Sequence, residues 1–192
     1  MNLPKFFTEY NALKNIPRTG WLHSGVPGYA VKSIALHLLD TAIISMFITG
    51  MFRENGYKVD GEKVLKLALI HDLPEVRTGD TALPYKKYFG REIIKKGERE
   101  AFIDIIKIHN IPGNYLETYD AKSENSDIEG RIVSISDIIS MLMECINLKR
   151  QGIKTVELEQ LYENCKDDFI NLTKNYKFLS YILDDVEDYM KI

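Results

Sequence analysis

Between Tyr29 and Arg53 apolar residues recur at helical spacing (Val31, Ile34, Ala35, Leu38, Ala42), and the second half, AIISMFITGMF, is apolar on every side. A helix without a polar face has to be wrapped by other elements. This stretch therefore predicts a buried central helix with a bundle built around it. The remaining sequence agrees: steps of three and four residues recur, and strand-like alternation never persists. The expected class is all-α.

Local chemistry delimits the other elements. Residues 4–15 carry Phe6, Phe7, Tyr10 and Leu13 at helical steps, after which IPRTGWLHSGVPG reads as a loop. Asn55-Gly56 ends the central helix, and Asp60 caps the next, on which Val64, Leu67, Ala68 and His71 share a face. Pro74 lacks an amide donor and its ring opposes the carbonyl of Ile70, so that helix kinks or stops there. RTGDTALPYKKYFG reads as a loop with one short helical turn, and Arg91 to His109 as a charged amphipathic helix. The polar stretch YDAKSENSD is expected to supply caps for a helix from about Ile128 to Gln151, with two more over 155–175 and 177–191. The 192 residues, without repeat or linker, read as one domain with its core at about 5–150. The C-terminal helices, with Tyr176, Phe178, Tyr181 and Tyr189, complete that core or form a subunit contact.

A net charge of -3 argues against a general nucleic-acid binder, which carries a basic surplus. The first fifteen residues do not resemble a signal peptide, and the run Thr41 to Phe52 is too short to span a bilayer, so no membrane partner and a cytoplasmic address are expected. Cys145 and Cys165 read as buried thiols in a reducing compartment.

Ionisable residues inside the apolar stretches carry the chemistry. His37, the pair His71-Asp72 in LALIHDLPE, and Asp137 in RIVSISDIISMLM each need a partner to offset desolvation. Singly they have ordinary explanations: a hydrogen-bonded core histidine (the reading kept for His23 and His109), Asp72 capping a turn opened by Pro74, Asp137 paired with an arginine. Together they give two imidazoles and two carboxylates, a set suited to Mn²⁺, Co²⁺, Fe²⁺, Ni²⁺ or Zn²⁺. Without a thiolate, a closed structural zinc site is disfavoured. An octahedral ion with four protein ligands keeps two positions for water and a substrate oxygen.

RTGW (Arg18 to Trp21), SIALH ending at His37, HDLPEVRTGD from His71 to Asp80, LPYKKYF and the helix carrying Asp137 resemble the HD-domain phosphohydrolases. Within that family they are most similar to the 5′-nucleotidases active on deoxynucleoside monophosphates. The resemblance covers roughly 5–150. It implies an all-α bundle with a metal site in a central cleft, one divalent ion (Mg²⁺ joins the candidates) on His37, His71, Asp72 and Asp137, and a homodimer. Relatives often carry glutamates where this chain has Lys32 and Leu36, and a lysine where it has Ile138.

Glu75 and Asp80 are then the candidates for proton transfer. Their alternatives are a surface residue paired with Arg77 or Lys66, and an ordinary turn residue. Arg18 is the candidate phosphate clamp, since a guanidinium grips two phosphoryl oxygens at once; a solvated arginine is the alternative. Trp21 packs on sugar or base, or anchors the core. Lys87 adds charge near the phosphate, while Lys86 faces solvent. The run Lys95 to Glu100 reads as a solvated helix face.

The expected activity is a metal-dependent 5′-nucleotidase. Its rivals are the same fold acting on nucleoside triphosphates, cyclic nucleotides or another phosphate ester, a binding module without turnover, and a purely structural helical protein.

Overall fold

The chain folds into helices α1 (Leu3–Asn11), α2 (Thr19–His23), α3 (Ile34–Glu54), α4 (Gly61–Ile70), α5 (Glu75–Thr78), α6 (Leu83–Phe89), α7 (Arg91–His109), α8 (Tyr115–Glu124), α9 (Ile128–Arg150), α10 (Val156–Thr173) and α11 (Tyr181–Lys191). This computed structural model describes residues 1–124 and 127–191, without the side chains of 83, 84, 86, 121–124 and 191. The expected caps form: Asp60 accepts from the Lys63 amide at 3.0 Å and Asp127 from Gly130 at 2.8 Å, opening α4 and α9. Thr155 likewise accepts from Leu158 at 3.0 Å and opens α10. Each contributes about 1 kcal/mol. Pro74 stops α4 as expected, and the chain turns through residues 71–74 before α5 begins at Glu75.

The long helix α3 packs against α4 and α9, and α10 packs on α9. Two apolar clusters form around them. The larger joins Ala42, Ile48 and Phe52 of α3 to Val64 and Leu67 of α4, to much of α9, and to Leu158, Tyr162, Phe169, Leu179 and Val186. The smaller joins Leu13, Ile34, Leu38, Leu73, Phe102, Ile105 and Tyr119. Both α3 and the α4–α5 segment pass from one cluster to the other, with His71-Asp72 at the crossing and His37 within the smaller cluster's stretch of α3. Each large apolar side chain buried there stabilises the fold by roughly 1.5–3 kcal/mol. That burial holds polar groups in place against their desolvation.

Three expectations are corrected. Helix α3 is central but not wrapped: Leu36, Leu39, Ile43, Met46 and Phe47 form an exposed apolar row. The whole helix, unlike the run Thr41–Phe52, is long and apolar enough to cross a membrane by length and composition, although 44% of its most apolar window is buried inside the fold. Residues 115–124 form α8 and do not merely supply caps; its apolar signal is confined to Tyr115, Leu116 and Tyr119, which meet the smaller cluster. The Arg18 loop contains α2.

The C-terminal aromatics divide. Tyr176 and Phe178 close over Phe52 with centroids at 4.7 and 5.1 Å. Tyr189 lies under the Arg150 guanidinium at 4.4 Å. Tyr181 is exposed, its hydroxyl 3.8 Å from the Met51 sulfur.

Candidate metal centre and cleft

His37 lies in the first turn of α3, His71-Asp72 directly after α4, and Asp137 in the middle of α9. The fold brings them together. His37, His71 and Asp72 each offer a ligand atom within 4.8 Å of the other two, a group that can hold a metal ion. Asp72 Oδ2 stands 3.4 Å from Nε2 of each histidine, and Asp137 Oδ1 is 3.1 Å from His37 Nε2.

The outer hydrogen bonds fix which nitrogen faces inward. His71 Nδ1 is 2.8 Å from the Ala68 carbonyl. A carbonyl only accepts, so Nδ1 carries the proton and Nε2 presents its lone pair. At His37 the Ser140 hydroxyl does the same work. It donates its one proton to the Asp137 carbonyl at 2.8 Å and so accepts from His37 Nδ1 at 3.2 Å. His37 Nε2 is left buried without a hydrogen bond, an arrangement costly for any polar atom unless something else binds it. Two inward lone pairs beside two carboxylate oxygens fit a divalent ion.

Around this group the charge is strongly negative. Arg18 Nη1 lies 3.0 Å from Asp72 Oδ2 and 4.0 Å from Asp80 Oδ1. Burial acts to lower the Arg18 pKa, but Asp72, Asp80, Glu75 and Asp137 together raise it, so the guanidinium stays charged. The segment bearing it is strapped beside the start of α3 by the Arg18 amide to Lys32 carbonyl bond at 3.1 Å and the Ile34 amide to Ile16 carbonyl bond at 3.0 Å. Asp80 follows Gly79, whose φ of 73° an L side chain rarely adopts, and so turns back toward α2. There its Oδ2 accepts from the Thr19 amide and, at 3.1 Å, from the Thr19 hydroxyl, capping a helix that has no cap of its own. Glu75 is buried, and its Oε2 has no hydrogen bond. Burial first, then Asp72, pushes its carboxyl well above the ordinary range, with Arg18 opposing. A cation bound alongside works in the opposite sense.

Arg18, His71, Asp72, Glu75, Asp80 and Asp137 line one cleft of about 680 Å³, with His37 just behind them. The cleft is walled also by Trp21, by Arg91, Ile94, Lys95 and Glu98 of α7, by Tyr119, by Ile138 and Met141 of α9, and by one face of α10. Such a volume suits a small-molecule ligand. An HD domain model matches residues 10–176, most of the chain. The chain belongs to the HD-domain family. It is 27% identical over 177 residues to the 5′-deoxynucleotidase HDDC2 of Dictyostelium discoideum, covering 88% of this chain and 90% of that protein. It is 24% identical over 170 residues to the human 5′-deoxynucleotidase HDDC2, covering 88% and 78%. Among solved structures it resembles a conserved hypothetical protein from Pyrococcus furiosus, with a TM-score of 0.81 at 29% identity over 96% of this chain and 98% of the other. An HD-domain phosphohydrolase from Listeria innocua shares the fold, with a TM-score of 0.78 at 23% identity over 99% and 90%. This is thus an HD-domain protein related at low identity to 5′-deoxynucleotidases.

The HD fold disposes of several alternatives. Asp72 does not cap α5, since its side chain faces Arg18 and the histidines. Glu75 pairs with neither Arg77 nor Lys66: Arg77 binds Glu9, and Lys66 binds Glu62 at 2.5 Å. Arg18 is held among carboxylates, not solvated. Trp21 is at once buried and part of the cleft wall. Lys87 is exposed on α6 and is not among the residues lining the cleft, and the Lys86 side chain lies outside the described residues. His23 is exposed at the cleft beside the Tyr85 ring, not in the core.

Other residues of the site were not anticipated. Lys95 and Glu98, read as a solvated face, line the cleft. Ser140 orients His37, and its place three residues after Asp137 on the same helix face was a usable signal. Tyr119 is buried, and burial, then Glu98 and Asp72, raises its phenol pKa. Lys32 pairs with Glu144 at 2.6 Å and Asp40 at 3.3 Å, Leu36 is exposed, and Ile138 joins the cleft wall. Both cysteines are free and buried, and burial raises both thiols, Cys165 to about 12.

Proposed function

We propose that the protein is a metal-dependent 5′-nucleotidase that hydrolyses (deoxy)nucleoside 5′-monophosphates to nucleoside and phosphate. The observation that supports this reading is the contact of Arg18 Nη1 with Asp72 Oδ2 at 3.0 Å, a guanidinium able to grip phosphate beside a group able to hold a metal ion. The 5′-deoxynucleotidase relatives support it. His37, His71, Asp72 and Asp137 hold the ion. When bound, it lowers the pKa of a water and withdraws charge from a phosphoryl oxygen.

The chain's own groups supply the rest. Arg18 keeps donors beyond the one on Asp72 for two phosphoryl oxygens. As the bond from phosphorus to the 5′ oxygen breaks and water supplies the new oxygen, a proton has to reach the departing oxygen. Glu75 Oε2, with no competing hydrogen bond, carries it. Asp80, with Oδ2 held by Thr19, keeps Oδ1 to orient the water.

A phosphate-release panel over nucleoside mono-, di-, tri- and cyclic phosphates, run with Co²⁺, Mn²⁺ and Mg²⁺, tests the reading. Monophosphates should turn over fastest. Release from triphosphates alone would move the protein to that class, and metal uptake without any turnover would make it a binding module. We also propose a cytoplasmic address, which two free buried thiols suit. The partner we propose is a second copy on the exposed α3 row. That row has no charged residue between Asp40 and Arg53 and exposes on the order of 500 Å² per chain, toward the roughly 800 Å² per partner of a standard interface. Sedimentation of Phe47→Glu against the parent tests it; a monomeric parent would refute it.

A further inference from the structure

The cleft extends beyond what phosphate and metal require, and the face of α10 that closes it has no role in the reading above. That face presents Glu157, Gln160, Asn164, Cys165 and Asp168. Cys165 and Asp168 line the cleft together with Arg18 and Asp137. After burial it is Asp168, then Asp137, that raise the Cys165 thiol while Arg18 opposes, so this end of the face lies toward the phosphate clamp. Gln160 lies five residues before Cys165, about 7.5 Å along the helix axis, and Glu157 about 12 Å. The wall is fixed against the opposite side: the Thr155 hydroxyl donates to the Ser24 carbonyl at 2.5 Å while capping α10, and Ser24 closes the helix that carries Trp21.

Gln160 and Asn164 are joined amide to amide at 3.1 Å. Whichever amide donates, one carbonyl and one amino group remain available, so the pair accepts either kind of partner. Glu157 has no such freedom. Its carboxylate only accepts, and a carbonyl set against it is repelled. Ile138 and Met141 of α9 add apolar surface to the same cleft.

We propose that this face of α10 is a nucleobase subsite that selects bases presenting an exocyclic amino group. Glu157 accepts from the amine, and the Gln160–Asn164 pair meets the adjoining ring atom. The proposal rests on the nucleotidase reading and adds a preference to it. Deoxycytidine and deoxyuridine monophosphates are nearly isosteric and differ on this edge, amino against oxo. The parent enzyme should favour the cytosine substrate roughly ten-fold in kcat/KM, a modest factor because Glu157 is solvent-exposed. In Glu157→Gln, whose amide both donates and accepts, kcat/KM should fall for the cytosine substrate and hold or rise for the uracil one, with metal content unchanged. Equal kcat/KM in the parent, or a ratio that survives Glu157→Gln, overturns the subsite and leaves the nucleotidase reading standing. An equal loss on both substrates also counts against it, because Glu157 would then serve the fold. Hydrolysis of neither substrate by the parent overturns the nucleotidase reading and the subsite with it.

Discussion

Glu9 lies between Arg77 and His109, and Asp72 lies among Arg18, His37 and His71. Both clusters combine an arginine, a carboxylate and buried histidine, yet they differ in kind. At Glu9 one carboxylate takes both partners, with Arg77 Nη2 at 3.1 Å from Oε2 and His109 Nε2 on the same oxygen. The Arg77 hydrogen bond is the largest effect and, with His109, holds the Glu9 carboxyl below its usual range against burial, the second in size. Around Asp72 a single guanidinium faces Asp72, Glu75, Asp80 and Asp137. The difference is charge balance: a cluster already neutralised by its own side chains is a structural tie, and one with surplus negative charge and inward nitrogen lone pairs is a cation site.

Breaking one member of each cluster should give the largest contrast. His71→Ala should lose the ion and cut phosphate release by about a thousandfold or more, read by elemental analysis and turnover. His109→Ala should lower the melting temperature with the metal stoichiometry intact. If His109→Ala also lost the ion, the two clusters would not be separable in this way.

Next in size is Glu75→Gln, expected to reduce kcat by roughly 10²–10⁴ while the metal stays bound. The metal-free protein sharpens the point. Burial and Asp72 raise the folded pKa of Glu75 above its ordinary 4.5. Its contribution to stability is therefore complete below 4.5 and is lost as pH rises through the folded value. Glutamine has no charge to bury, so the metal-free variant should melt a few degrees above the parent at neutral pH, by differential scanning fluorimetry with chelator. A lower melting point would mean that the Glu75 charge is welcome where it sits.

Ser140→Ala removes the acceptor that fixes the His37 ring. Metal affinity should weaken roughly 10–100-fold, as outer partners of metal-binding histidines typically show, with kcat at saturating metal largely kept. Unchanged affinity would reduce Ser140 to packing.

The smallest effect belongs to the neutralised cluster. The Glu9 pKa is lowered, so its contribution is present above the unfolded value and is lost as pH falls through the folded one. Glu9→Gln should flatten that acid limb and cost only a few degrees of melting temperature, because the carboxylate is partly exposed.

Legibility in the sequence followed the length over which a signal repeats. Helices α3, α7, α9 and α10 carry apolar residues through several turns, and the limits of α7, α9 and α10 lie close to those expected. Helix α3 instead begins at Ile34, five residues after Tyr29, because Val31 and Ser33 are extended. Helix α8 has three such residues and α2 fewer, so neither rises above loop-like composition. Among the site residues, His37, His71, Asp72 and Asp137 stood out because ionisable groups inside apolar runs need partners. Glu98, Lys95 and Gln160 did not, since a polar residue on a charged helix looks the same whether it faces solvent or a cleft.

The sequence by itself determined the helical class, the stop at Pro74 and which polar groups had to be reconciled with burial, because propensity, capping and desolvation act locally. Only the tertiary structure decided that Ser140 orients His37, that Glu9 and not Glu75 holds Arg77, and that one face of α3 stays bare. Those outcomes depend on which helix faces meet, and packing of surfaces distant in the chain leaves no local pattern to read.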